Sequence, residues 1–148
     1  MTPSQAKKLE VEKTLRLSAS PDRVWRAITE ADEIGTWFPD SISWEAREGG
    51  EGWFGWEKYG RYSVRVEAFE PPRFLAWRWA REPGKSLDDT DTTLVEWTLT
   101  PRDDGGTTLH LRESGFKSEA YRDDNDGGWD AELGELLELL GEPATAMR

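Results

Sequence analysis

Gly127-Gly128-Trp129-Asp130-Ala131-Glu132-Leu133-Gly134-Glu135-Leu136-Leu137-Glu138-Leu139-Leu140 is the stretch whose reading decides the fold. Trp129, Leu133, Leu136, Leu137 and Leu140 recur at helical spacing, while Asp130, Glu132, Glu135 and Glu138 fill the opposite side. The pattern predicts one long helix, opened by Gly128-Trp129 within a helical segment at 123–140, with a single apolar face. It follows a chain of alternating segments that carry most of the nine tryptophans. The helix is therefore expected to close over a concave, aromatic sheet, and a sheet closed by one helix invites a pocket.

Upstream, residues 9–18 alternate, with Leu9, Val11, Lys13, Leu15 and Leu17 on one parity and Glu10, Glu12, Thr14, Arg16 and Ser18 on the other. That is a half-buried strand with one charge, Lys13, among its apolar positions. Ser20-Pro21-Asp22-Arg23 then offers Ser20 as N-cap and Pro21 at the first helical position, and a second short helix at 31–37 ends before Pro39. Strand patterns follow at about 41–47, 52–58, 60–70, 73–81, 91–100 and 107–114, separated by Gly- or Pro-bearing turns such as Glu48-Gly49-Gly50 and Glu70-Pro71-Pro72-Arg73. The element order is β-α-α-β-β-β-β-β-β-α, an α+β class. Neither an internal repeat nor a linker divides the chain, so one domain spanning 1–148 is expected, with an ordered core over about 9–140 and frayed ends at 1–8 and 142–148.

Composition narrows the function classes. A net charge of −11 opposes binding to nucleic acid, whose phosphates demand a basic face, and opposes anionic membranes. No segment approaches the roughly 20 apolar residues of a membrane span, and Met1 to Lys8 lacks the apolar core of a signal peptide, so a soluble, cytoplasmic protein is expected. Zero cysteines remove disulfides, thiolate metal sites and cysteine nucleophiles, and a single histidine removes a histidine-based metal cluster. No cofactor is expected. The acidic run Asp123-Asp124-Asn125-Asp126-Gly127 has the composition of a calcium loop but lacks the alternating ligands and terminal glutamate of an EF-hand, and reads as the solvated start of the last helix.

Several local motifs stand in a consistent order: Ser18-Ala19-Ser20-Pro21-Asp22-Arg23-Val24-Trp25-Arg26-Ala27 at the first helix, Trp37-Phe38 after the second, Glu67-Ala68-Phe69-Glu70-Pro71-Pro72-Arg73 at a strand turn, then Glu113-Ser114-Gly115-Phe116 and Gly128-Trp129. With the element order, they make the chain similar to the SRPBCC or START-like superfamily. Within it the chain most resembles the group named after the C-terminal domain of the activator of the ninety-kilodalton heat-shock-protein ATPase. The resemblance implies a helix-grip fold: a curved seven-stranded antiparallel sheet wrapped around a long C-terminal helix, with two short helices between strands 1 and 2, and an apolar cavity between sheet and helix. It does not imply one function, since members include lipid carriers, hormone receptors, polyketide aromatase/cyclases and chaperone regulators.

The candidate site is therefore argued from residues. Trp37 and Phe38 follow the second helix and are expected near the cavity mouth. Trp77 and Trp79 share the parity of Leu75, although the sequence leaves open which parity faces inward, and Trp97 shares that of Val95 and Leu99. On the last strand Leu109, Leu111 and Glu113 share a face and His110 takes the other, which removes the only histidine from the interior and brings a carboxyl into it. The family's strand order places the first strand beside the last, so Lys13 is expected to approach Glu113, against the alternative that Lys13 snorkels outward.

The ligand-binding set is thus Lys13, Trp37, Phe38, Trp77, Trp79, Trp97, Leu111, Glu113 and Trp129, for a small hydrophobic or aromatic molecule, in a monomer or homodimer. A binding protein is the preferred reading. The alternatives are an aromatase/cyclase-like enzyme using Glu113 as base, and a regulatory protein in contact with a chaperone ATPase, without the additional N-terminal domain of the eukaryotic activators.

Overall fold

A computed structural model describes residues 9–146. Strand β1 (Glu10–Leu17) is followed by helices α1 (Pro21–Thr29) and α2 (Ala31–Trp37). Six more strands come next: β2 (Ser41–Trp44), β3 (Glu51–Trp56), β4 (Gly60–Glu70), β5 (Phe74–Ala80), β6 (Thr92–Pro101) and β7 (Thr107–Ser114). Helix α3 (Glu119–Leu140) and a 3-10 turn at Ala144–Ala146 close the chain. The strands form one antiparallel sheet in the order β1-β7-β6-β5-β4-β3-β2, so β2 to β7 are a meander and β1 returns beside β7. This is the helix-grip α+β fold that the sequence predicts.

Local chemistry sets the helices. Ser20 Oγ accepts from Arg23 N at 3.2 Å with Pro21 in the first turn, and Glu30 both ends α1 and begins α2 in an extended conformation. Helix α3 begins earlier than the apolar repeat suggests. Ser118 caps it by accepting from Tyr121 N, and Tyr121 is buried edge-on against Phe116. The acidic run at 123–126 therefore lies inside α3 rather than at its start. Gly127 and Gly128 sit mid-helix, at a cost of about 1 kcal/mol each relative to Ala, a cost met by packing on both sides of them. At the far end Gly141, in the left-handed region at φ 70°, ends the helix while Glu142 N donates to Leu137 O.

The C-terminal segment is not frayed as expected. Up to Ala146 it is tied down: the Glu142 carboxylate accepts from Ser18 N, Ser18 Oγ and Ala19 N, and Ala146 is buried. The expectation for residues 1–8, 147 and 148 lies outside the described residues. Strand β2 is also shorter than its pattern, because Arg47 N and Gly50 N turn back on Glu45 O and Arg47 O.

The concave face holds the core. Leu15, Phe54, Trp77, Trp97, Leu109 and Leu133 are among its fully buried side chains, and Trp129, Leu133, Leu136 and Leu137 of α3 lie down on them, with Leu140 partly buried at the edge. The convex face is polar. Arg112 there bonds Glu10 and Glu96 across neighbouring strands, and His110 pairs with Thr14 and Glu12, outside as its parity predicts. No helix among the described residues is long and apolar enough to cross a membrane.

Candidate ligand site

Beside this packed core, where the ends of β3, β4 and β5 meet the first half of α3, the two layers part around a cavity of about 280 Å³. Alternation along the strands supplies Trp56, Tyr62 and Trp79, the β3–β4 turn supplies Tyr59, and the end of α2 supplies Phe38. Helix α3 contributes Tyr121, Asn125, Gly128, Trp129 and Glu132, whose spacings of four, three, one and three put them on one stripe. Arg81 stands at the rim.

Phe38 organises the rings. It stacks on Trp129 at 5.2 Å and 11°, lies near-parallel to Trp79 at 5.7 Å, and meets Trp56 edge-on at 5.3 Å. Trp79 and Trp129 are themselves near-parallel at 6.0 Å. The wall is thus a set of offset, near-parallel faces, the preferred aromatic arrangement and one suited to a flat apolar body.

Behind this wall lies Glu113, with no exposed surface. Its carboxylate accepts from Trp129 Nε1 at 2.8 Å, Trp79 Nε1 at 2.9 Å, Thr93 Oγ1 at 2.5 Å and Asn125 Nδ2 at 3.1 Å. A buried carboxylate is tolerable when its lone pairs are filled, and neutral donors fill them here. The expected Glu113–Lys13 ion pair is not formed. Lys13 lies across from Leu111, two pairs further along the strand, and its ammonium reaches Asp126 and, at 2.9 Å, Asp130 on α3. Burial pulls the Lys13 pKa down, but its bonds to the two carboxylates outweigh that and leave it raised. The snorkelling alternative fails too, because Lys13 turns in toward the helix.

Among the predicted residues, the structure brings Phe38, Trp79 and Trp129 to the cavity wall and Glu113 directly behind it. Trp37, Trp77, Trp97 and Leu111 are instead core residues outside the lining. Trp37 Nε1 donates to Ala27 O, and Trp77 and Trp97 are fully buried with indole N–H groups that meet no acceptor among the described residues. Lys13 fastens β1 to α3 away from the cavity. Trp56, Tyr59, Tyr62, Tyr121, Asn125 and Glu132 escaped the sequence reading. Tyr121 follows once α3 is begun at the Ser118 cap, whereas Glu132 lines the cavity beside Trp129 rather than on the opposite side of the helix as expected.

Three groups of the lining have shifted pKa values, among them Tyr62, whose phenol burial raises. Burial pushes the Tyr121 phenol up to about 12, with the Glu113 charge adding to it. Burial also pushes the Glu132 carboxyl up to about 7, and the charges of Glu135 and Asp40 act in the same direction.

Residues 18–141 match the family described as activator of Hsp90 ATPase homolog 1-like protein, and the chain belongs to that family. Protein MLL2253 from Mesorhizobium loti is 25% identical, with a TM-score of 0.79 over 89% of this chain and 96% of its own. CalU16 from Micromonospora echinospora is 29% identical, with a TM-score of 0.72 over 88% and 75%. The Aha1 dimer from Colwellia psychrerythraea shares the fold at 19% identity, with a TM-score of 0.76 over 88% and 95%. No protein of curated function matches the chain.

Proposed function

We propose that the chain is a single START-like domain that binds a small, flat, mostly apolar molecule in the cavity between β3–β5 and α3. The observation that carries this reading is the cavity wall: Phe38, Trp56, Tyr62, Trp79 and Trp129 form the aromatic side of a ligand-sized space whose polar groups include Asn125 and Glu132, the mixed make-up of a small-molecule site. The indoles of Trp79 and Trp129 are oriented by Glu113, so the wall is built before a ligand arrives. Binding fits better than catalysis, because Glu113 has its carboxylate oxygens occupied by four donor groups and is not a free base. Native mass spectrometry of freshly purified protein tests the reading. A co-purified small molecule lost on Gly128→Leu supports it, and the absence of a saturable change in tryptophan emission across a library of flat hydrophobic compounds overturns it.

A second reading, contact with a chaperone ATPase, is supported by membership in a family described by that activity. The likeness to a solved dimer supports testing self-association with it. Stimulation of an Hsp90-type ATPase that persists in Gly128→Leu would assign that activity to a surface other than the cavity.

A further inference from the structure

Two polar groups that helix α3 turns to the cavity, Asn125 and Glu132, offer acceptor oxygens. Glu132 is partly buried on the lining stripe of α3 and makes no hydrogen bond or ion pair with any described residue. Asn125 spends its Nδ2 on both oxygens of Glu113, which leaves the acceptor Oδ1 as its available polar atom. The one cation of the lining, Arg81, is already engaged: its guanidinium lies 4.4 Å over the Tyr121 ring and 3.4 Å from Asp91. Facing Glu132 are further negative groups, Glu135 on α3 and Asp40 beyond α2. A carboxyl with carboxylates for neighbours lacks a counter-ion, and the rings around it present π faces that attract cations.

Resting on the cavity as a ligand site, we infer that its occupant is a small organic cation, an apolar body bearing an ammonium group that pairs with Glu132 within the ring set Phe38, Trp56, Tyr62, Trp79 and Trp129. Two attractions act together, a cation over aromatic faces and a charge pair in a partly desolvated site. Neither operates on a neutral ligand or an anion, and the −11 net charge of the chain repels anions in addition. The bound cation also favours the ionised form of Glu132. In the free protein this carboxyl titrates at about 7, so cation binding releases a proton near neutrality and tightens as pH rises from 6 to 8. The charged groups around Glu132 are Glu135 on its own helix, Asp40 beyond α2 and Arg81 at the rim.

Phenyltrimethylammonium and its neutral isostere tert-butylbenzene test this, because they differ in charge and little in shape and the quaternary cation cannot titrate. Wild type should bind the cation at least about tenfold more tightly than the isostere at pH 8, as one desolvated cation–aromatic contact plus a charge pair implies. The preference should shrink at pH 6 and fall several-fold in Glu132→Gln, where the aromatic faces alone remain to favour the cation, while tert-butylbenzene binding is retained. Equal affinities in wild type, or a preference undiminished in Glu132→Gln, would overturn the cation assignment and leave the cavity reading intact. Binding of neither probe would overturn both.

Discussion

Glu113 Oε1 accepts the indole N–H of Trp129 at 2.8 Å, so a fully buried carboxylate of β7 fixes a ring of α3 that forms part of the cavity wall. The same carboxylate holds Trp79 of β5 and Asn125 one helical turn before Trp129. Sheet and helix are therefore joined at the cavity through one acid and its neutral donors. Replacing Glu113 by Gln keeps the shape but turns one acceptor oxygen into an NH₂ group that faces donors. Glu113→Gln should destabilise the protein by about 1–3 kcal/mol, the cost of leaving buried polar groups unpaired. It should also change tryptophan emission, as Trp79 and Trp129 lose their anchor. Urea unfolding followed by fluorescence measures both, and an unchanged midpoint would show the cluster to be energetically idle.

The parity of β7 marked Glu113 as interior, but its partners were not legible, because they are indoles and an amide brought from β5 and α3 by register and helix phase. Charge matching suggested Lys13 instead. Register decides otherwise: Val11 is the residue opposite Glu113, and Lys13, two pairs further on, meets the helix face bearing Asp126 and Asp130. The fold was readable because alternation, turns and caps are local signals, and the placement of β1 came from the family resemblance. The cavity was only half readable. In its helical wall Tyr121 precedes the apolar repeat and Glu132 reads as a charge on the side opposite Trp129, and the turn residue Tyr59 carries no periodic signal.

Lys13 and Asp126 should therefore couple, and Lys13 and Glu113 should not. The Lys13 side chain is mostly shielded, at 13% exposure, while Asp126 has a second partner in Arg122 at 3.0 Å. A double-mutant cycle of Lys13→Met with Asp126→Asn should give a coupling of about 0.5–2 kcal/mol. The cycle of Lys13→Met with Glu113→Gln should return a value within a few tenths of zero. The reverse ranking would mean that β1 is held to its neighbours by a different charge pairing.

Glu132 makes stability depend on pH in a defined direction. Its carboxyl titrates at about 7 in the folded protein against an ordinary value of 4.5, so the folded state holds that proton more tightly than the unfolded chain. Stability from this group is complete below about 4.5 and is lost as pH rises to 7 and above. Glu132→Gln should match wild type near pH 4 and exceed it by roughly 1–2 kcal/mol at pH 8, after allowance for solvent screening of a partly exposed group. Thermal unfolding of both proteins from pH 4 to 8 reads this difference, and parallel curves would mean that Glu132 sits in water.

Gly128 separates the stability of α3 from the use of the cavity. It lies inside the helix on the lining stripe, and a Cβ built there meets no atom within 4 Å; the neighbouring Gly127 has equal room but lies off the lining. Alanine at either position removes the backbone-entropy cost of glycine, so Gly127→Ala and Gly128→Ala should each stabilise the fold by about 0.5–1 kcal/mol. Leucine distinguishes them. At 127 it should leave the binding of an apolar fluorescent probe unchanged, while at 128 its side chain extends into the space between Trp129 and the sheet and should weaken binding at least about tenfold, the loss of one buried apolar contact area. Because both leucine variants share the gain in helix propensity, a loss confined to position 128 reports occupied cavity volume rather than an altered helix. Equal affinities at 127 and 128 would place the probe elsewhere on the protein.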